Sequence, residues 1–405
     1  MSLLSLIDFM KILMVIPYLA SAYGGTSQVV QSLANTLGQL NINVDVVTTN
    51  AEDSQTLSVP INQWISEHHY RVRYFSSWHR SDLVFSPSLI QWLVENIQHY
   101  DIVHTHTLFA PIVTLTHAIC RIHQRPYIMT PHGMLDSWAL AYKAWKKRVY
   151  YACFEKSALE CAKSIQVLSL SETEQVNQLG HLQTTFIPNG IHPQEFERLP
   201  SVELFYQHFP ELKGKILILF LGRIDPKKGL DLLAPAFANV RTTFHNIHLI
   251  VAGPDSINFT PTVQSYFADR NCLDAVTFTG MLSGSLKYAA LAAANLYVSP
   301  SYSEGCSMSI LEGMASGLPC IITTECNFPE AAKHGVAHVV NPNPNAIETA
   351  LMTCLHHPSE AKDMGERARQ FIFENYSWDQ IASKLKLEYS RILETPIKAD
   401  VTSTH

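Results

Sequence analysis

The run Lys11-Ile-Leu-Met-Val-Ile16 is followed by Pro17, by Gly24-Gly25 and then by apolar residues at helical spacing from Ser27 to Leu40. An unbroken apolar run of this length reads as a strand buried on both faces, and a crossover into a helix is how parallel strands are joined. The same unit returns in the second half, where Ile216–Leu221 leads through Gly222 and Gly229 into a helical segment over Leu230–Val240. Further short apolar runs alternate with helical patterns. In the first half these are Val44–Thr48, Ile102–His104, Tyr127–Thr130, Ser164–Leu168 and Thr185–Ile187. In the second they are Ile247–Ala252, Val276–Thr279, Leu296–Ser299, Cys320–Thr323 and Val336–Val340. Strands alternating with helices predict an α/β fold with parallel sheets, and the restart predicts two of them. The stretch from His192 to Gly214 is polar, contains proline and carries no strand pattern, so it reads as the linker. The expectation is two Rossmann-like, doubly wound domains facing across a cleft, over residues 11–195 and 196–377. Ligands of such sheets bind at the carboxyl ends of the strands.

Composition narrows the function classes. The 405 residues fit two or three domains at roughly 150 residues each. With 47% hydrophobic and 16% charged residues, the chain builds large cores and is neither disordered nor fibrous. The 29 Lys and Arg against 35 Asp and Glu leave a formal charge of −6, so no overall electrostatic footprint for nucleic acid is present. Eight cysteines without a CxxC pair read as reduced thiols and a cytoplasmic protein. Leu3 to Ala22 is apolar, but Asp8 and Lys11 interrupt it and no basic segment precedes it, so it reads as neither signal peptide nor membrane span.

Three segments carry candidate chemistry. In Pro300-Ser-Tyr-Ser-Glu304-Gly-Cys-Ser-Met-Ser-Ile-Leu-Glu312-Gly-Met-Ala-Ser-Gly317-Leu-Pro319, the stop signals Gly317 and Pro319 imply a helix starting near Ser307 to Ser309. Glu304 then falls on the preceding loop and Glu312 in the first turn, both beside backbone N–H groups suited to a phosphate. Ser309-Ile-Leu-Glu312 also fits a capping box, in which Glu312 merely satisfies a backbone donor. In Gly222-Arg223-Ile-Asp-Pro-Lys-Lys228-Gly229, two cations on a strand-to-helix loop suit a diphosphate or, alternatively, form a solvated turn. This segment is neither a P-loop nor GxGxxG. Gly24-Gly25 and Thr130-Pro-His132-Gly133 each follow a strand; the glycines permit close backbone approach, and His132 is a polarising group or a structural one.

Taken in order with Pro188-Asn-Gly190, these segments resemble the retaining nucleotide-sugar glycosyltransferases of family 4, the group 1 glycosyltransferases, over about residues 11 to 393. The resemblance implies the GT-B fold and a hexosyltransferase moving sugar from a UDP- or GDP-sugar to a glycan or lipid-linked saccharide acceptor. Exopolysaccharide, capsule or cell-envelope glycan synthesis is the implied setting, from Thr130–Trp138 with Lys143–Lys147. Carried over by motif, Arg223 and Lys228 hold the donor diphosphate, Glu312 the ribose hydroxyls and Glu304 the transferred sugar. Gly222, Gly305, Cys306, Ser307 and Met308 border the donor, His132 lies beside its sugar, and Gly25 lies near phosphate and acceptor. The last helix, Trp378–Leu393, crosses back onto the first domain. Cys306-Ser307 stands where an aromatic residue followed by Gly or Pro is frequent, which bears on donor preference.

The chain contains no Asp-x-Asp, so the expected transfer uses neither metal nor other cofactor, with Arg223, Lys228 and a helix N-terminus neutralising the leaving diphosphate. Other readings are a GT-B sugar-nucleotide epimerase, a disaccharide phosphorylase, or a metal-dependent hydrolase built on His104, His106 and His132. Trp138, Tyr142, Trp145 and Val149 recur at helical spacing among Lys143, Lys146, Lys147 and Arg148. Residues 138–150 therefore read as a peripheral contact with the inner face of an anionic membrane, or as an ordinary helix with its aromatics packed inward.

Overall fold

The computed structural model describes residues 10–20, 24–52, 55–80, 83–135 and 144–394. Each strand expected from the apolar runs forms, with ends shifted by up to two residues. The first sheet has eight strands in the spatial order Thr184–Phe186, Ser164–Val167, Tyr127–Thr130, Ile102–His106, Lys11–Tyr18, Asn43–Thr49, Arg71–Phe75, Trp64–Ser66. Its pairs are parallel except at the Trp64–Ser66 edge. The second sheet has six parallel strands in the order Val276–Gly280, Ile247–Ala252, Ile216–Leu221, Leu296–Ser299, Cys320–Thr323, His338–Val340.

Side-chain alternation explains why the run Ile12–Ile16 contains no polar gap. Along the first strand Leu13 and Val15 pack into one core with Leu93 and Ile112, while Ile12, Met14 and Ile16 pack into another with Val30 and Leu33. A strand covered on both faces favours apolar residues at every position, and polar ones such as His104 are kept only with hydrogen-bond partners. The second of these cores also receives Trp378, Ile381, Ala382, Leu385 and Tyr389. Their spacing gives the helix Trp378–Glu394 one apolar stripe, which docks it on the first sheet beside the helix Gly25–Gln39.

The two sheets are joined by two chain passages lying side by side. Ile191 N donates to Tyr376 O at 2.8 Å, and Trp378 N donates to Ile191 O at 2.9 Å. A Cβ on Gly190 would meet the Trp378 ring at 2.9 Å, so this crossing requires a glycine. The stretch from His192 to Gly214, read above as the linker, is packed against the second half. It folds into short helices Gln194–Glu197 and Val202–His208, and buries Phe196, Phe205 and Leu212 in the second half's core. Three apolar anchors among polar residues suffice to dock it without any strand. Between residues 50 and 86 the structure adds two small hairpins, Ala51–Glu52 with Gln55–Thr56 and Trp78–Arg80 with Leu83–Phe85.

Candidate active site between the two sheets

The loops at the carboxyl ends of the two sheets face each other. In the first half, Gly24 (φ 77°) precedes the helix that starts at Gly25, and His132 and Gly133 (φ 54° and 73°) follow the strand Tyr127–Thr130. In the second, Gly305–Met308 leads into the helix Met308–Ala315. A Cβ built on Gly133 would lie 3.1 Å from Gly305 Cα, and one on Gly25 would lie 3.5 Å from Met308 Cγ. Paired glycines thus let the two backbones meet. Asn189 Nδ2 donates to Cys306 O at 3.0 Å across the same seam. Burial pushes the Cys306 thiol up to about 12, so at neutral pH it is an uncharged packing group.

Glu304 and Lys228 form the polar centre of the second half. Lys228 Nζ lies 2.6 Å from Glu304 Oε1, with side-chain exposures of 13% and 9%. Ser301 Oγ donates to the same oxygen at 2.7 Å. Burial alone would raise the Glu304 carboxyl, but the Lys228 and Lys227 ammonium groups and these hydrogen bonds hold it below the ordinary range. Oε2 carries no hydrogen bond from the described residues. Gly222 passes close to the lysine, since a Cβ there would lie 3.6 Å from Lys228 Cε. Arg223 is exposed and makes no ion pair with the described residues, so its guanidinium is available to a ligand.

Glu312 is also buried in an ion pair, with Lys287 Nζ at 2.8 Å from its Oε1. It is the fifth residue of its helix and not part of the first turn, a correction to the sequence expectation. The capping box does not form either. Ser307 is the N-cap and makes no side-chain cap, while Ser309 Oγ accepts from Tyr297 Oη at 2.9 Å and lies 3.1 Å from Ser307 Oγ. Freed from capping, Glu312 is held by a cation from another helix, Gly284–Ala293. Lys287 escaped the sequence reading because a single lysine among alanines carries no motif. Its ammonium also sits 4.9 Å from the Tyr288 ring, and Tyr288 Oη hydrogen-bonds Glu195.

The histidines form a stacked array. His132 Nε2 lies 3.1 Å from His106 Nδ1, and the His104 and His106 rings stack at 4.3 Å. Gln166 Nε2 donates to Ile187 O, so its Oε1 accepts from Thr130 Oγ1, at 3.0 Å. Thr130 must then accept from His104 Nε2, which leaves His104 Nδ1 to accept from Tyr389 Oη; both contacts are 2.7 Å. This tautomer chain ties the returning C-terminal helix to the first sheet. Burial lowers His104 and His132 to about 3, so both are neutral imidazoles at physiological pH. A zinc set of His104, His106 and His132 is therefore not assembled: His104 spends both nitrogens on Tyr389 and Thr130. Among the described residues no three His, Cys, Asp or Glu side chains converge as metal ligands.

The loops of the two sheets thus bring Gly133 against Gly305, next to the buried Lys228–Glu304 pair. A model of the group 1 glycosyl transferases matches residues 204–386, and a model of glycosyltransferase family 4 matches residues 23–195. The chain belongs to this family, the group 1 glycosyltransferases of the GT-B fold, and is a hexosyltransferase. It is 24% identical over 401 residues to a phosphatidyl-myo-inositol mannosyltransferase of Mycobacterium leprae, covering 97% of this chain and 100% of that one. It is 26% identical over 217 residues to a lipopolysaccharide 1,2-N-acetylglucosaminetransferase of Salmonella typhimurium, covering 50% of this chain and 55% of that one. Among solved structures, Anabaena HepE in complex with UDP-glucose superposes with a TM-score of 0.76 at 17% identity, over 94% of this chain and 100% of that one. Sucrose-phosphate synthase from Thermosynechococcus elongatus gives 0.75 at 21% identity, over 95% and 99%.

Proposed function

We propose that this glycosyltransferase takes its hexosyl group from a UDP- or GDP-sugar held between the two sheets. The acceptor is a glycan or lipid-linked saccharide of exopolysaccharide, capsule or envelope synthesis. The observation that carries the reading is the pairing of Lys228, on a loop whose Arg223 makes no ion pair with the described residues, with Glu304, which precedes Gly305 where that residue abuts Gly133 of the first half. Arg223 and Lys228 take the diphosphate, neutralising it as the glycosidic bond breaks without a metal or other cofactor. Glu304 Oε2 accepts from the sugar hydroxyls, Glu312 Oε2 from the ribose, and His132 lines the sugar from the other side. Gly25, Gly222 and the Gly305–Met308 backbone border the donor. Neither carboxylate is needed as a nucleophile, and the anomeric configuration is retained.

A thermal-shift screen of nucleotide sugars, followed by assay of nucleoside diphosphate release, tests this. Release that requires an acceptor, with a product of retained anomer by NMR, is expected. Release without acceptor favours an epimerase, and a requirement for inorganic phosphate without nucleotide favours a phosphorylase.

We also assign the enzyme to the cytoplasm, at the inner face of the membrane. No helix among the described residues is long and apolar enough to cross a bilayer. Trp138, Tyr142 and Lys143 lie outside the described residues. On the helix Ala144–Tyr150, however, Trp145 and Val149 are 70% and 57% exposed, and Phe154 beyond it 51%. Exposed apolar groups beside Lys146 and Lys147 favour surface docking over inward packing. Sedimentation with anionic vesicles is expected to fall when Lys146 and Lys147 are changed to Gln; equal sedimentation removes the assignment.

A further inference from the structure

The loop that carries His132 is unusual in its backbone. His132 and Gly133 are consecutive left-handed residues, at φ 54° and 73°. A histidine in that region costs free energy and stays there only when its surroundings hold it. The ring is held by His106 at 3.1 Å. The backbone is held by Glu172, whose Oε1 accepts from Gly133 N at 2.7 Å.

The other oxygen of the same carboxylate is equally engaged. Glu172 Oε2 accepts from Leu168 N at 2.7 Å, and the side chain is buried, with 2% of the residue exposed. Ser169 caps the helix Leu170–Gln178 by accepting from Glu172 N at 3.1 Å, which sets the carboxylate in the first turn, where the helix dipole favours an anion. Both segments that Glu172 grips face the second half's donor loop. Gly133 abuts Gly305, and Leu168 lines a cavity together with Gly305, Cys306 and Ser307. Short hydrogen bonds to a carboxylate are among the stronger and more directional available to a backbone N–H.

We propose that Glu172 is a positioning residue for glycosyl transfer, fixing the His132-Gly133 loop against Gly305 so that His132 meets the donor sugar in one orientation. The inference rests on the donor site proposed above. Glu172 touches no reacting atom. Its effect on turnover runs through His132.

The test is a double-mutant cycle on kcat with the full-length enzyme and the nucleotide sugar found by the screen. Glu172→Gln presents an amide N–H where one acceptor oxygen stood. It is expected to lower kcat by about 10–100-fold, the range of a small displacement at a reacting centre, while donor KM stays within about threefold. In a His132→Ala background the same change is expected to lower kcat by less than about threefold, because the group it positions is gone. Equal losses in both backgrounds, or a Glu172→Gln enzyme with wild-type kcat, overturn the proposal. Should Glu172→Gln lack a cooperative melt, the cycle is run with Glu172→Asp, too short to hold both N–H groups, and read in the same way. A wild-type enzyme that transfers from no nucleotide sugar would instead overturn the donor site itself, so the two failures are distinct.

Discussion

Lys228→Ala is expected to lower kcat by about 10³-fold and also to destabilise the fold, whereas Arg223→Ala is expected to lower kcat by about 10²–10³-fold and to leave the melting temperature nearly unchanged. The sequence alone predicts one outcome for both: loss of turnover far exceeding loss of stability. The structure separates them. Lys228 is buried against Glu304 at 2.6 Å, so its removal strands a carboxylate with 9% exposure and, among the described residues, no other cation at hydrogen-bond distance. Breaking a buried pair from one side costs about 3–5 kcal/mol. Arg223 is exposed and free of ion pairs with the described residues, and truncating such a side chain shifts stability by about 0.5 kcal/mol or less.

The two effects at Lys228 can be pulled apart. In Lys228→Met combined with Glu304→Gln, neither partner leaves an unpaired charge behind, so most of the melting temperature should return. Turnover should not, because the diphosphate has lost a cation and the sugar a charged acceptor. Steady-state kcat at saturating donor, measured beside thermal melts of the three variants, checks this. Wild-type turnover in Arg223→Ala would refute the cationic clamp outright.

The parts of the fold that were legible are those dictated by burial on both faces. Ile247–Ala252 is buried at all six positions, and no other local structure accommodates such a run so briefly. Gly317 and Pro319 likewise placed the end of the helix Met308–Ala315 correctly. The hairpins near residues 51–56 and 78–85 were not legible, because strands of two or three residues carry no period to read. Candidate site residues are legible where glycine, proline or paired charge marks a loop, as at Gly222–Gly229. Their partners are not, because ion pairs such as Lys287 with Glu312 join positions from separate helices through tertiary packing. The Ser309-x-x-Glu312 pattern shows the converse. It satisfies the capping rule in sequence, yet the N-cap is Ser307, two residues earlier, and the carboxylate turns to Lys287.

That turn makes Glu312 the residue for the second large effect: Glu312→Gln should abolish discrimination between ribose and dideoxyribose in the bound nucleotide. Its Oε1 is committed to Lys287, which fixes the carboxylate plane and leaves Oε2 without a hydrogen bond from the described residues. Hydrogen bonds to a charged group contribute about 1.5–3 kcal/mol, or roughly 10–100-fold in affinity. The wild-type enzyme is therefore expected to bind the nucleoside diphosphate about 10–100-fold more tightly than its 2′,3′-dideoxy form, and Glu312→Gln to bind both within about threefold. Lys287→Met should weaken ribose recognition and stability together, since a carboxylate with 6% exposure loses its cation. The combination of Lys287→Met with Glu312→Gln should recover stability without recovering recognition. Calorimetric titration of the two nucleotides into each variant reads these outcomes directly. A wild-type preference that survives in Glu312→Gln would move the ribose contact to some other group and leave the Lys287 pair with a structural role alone.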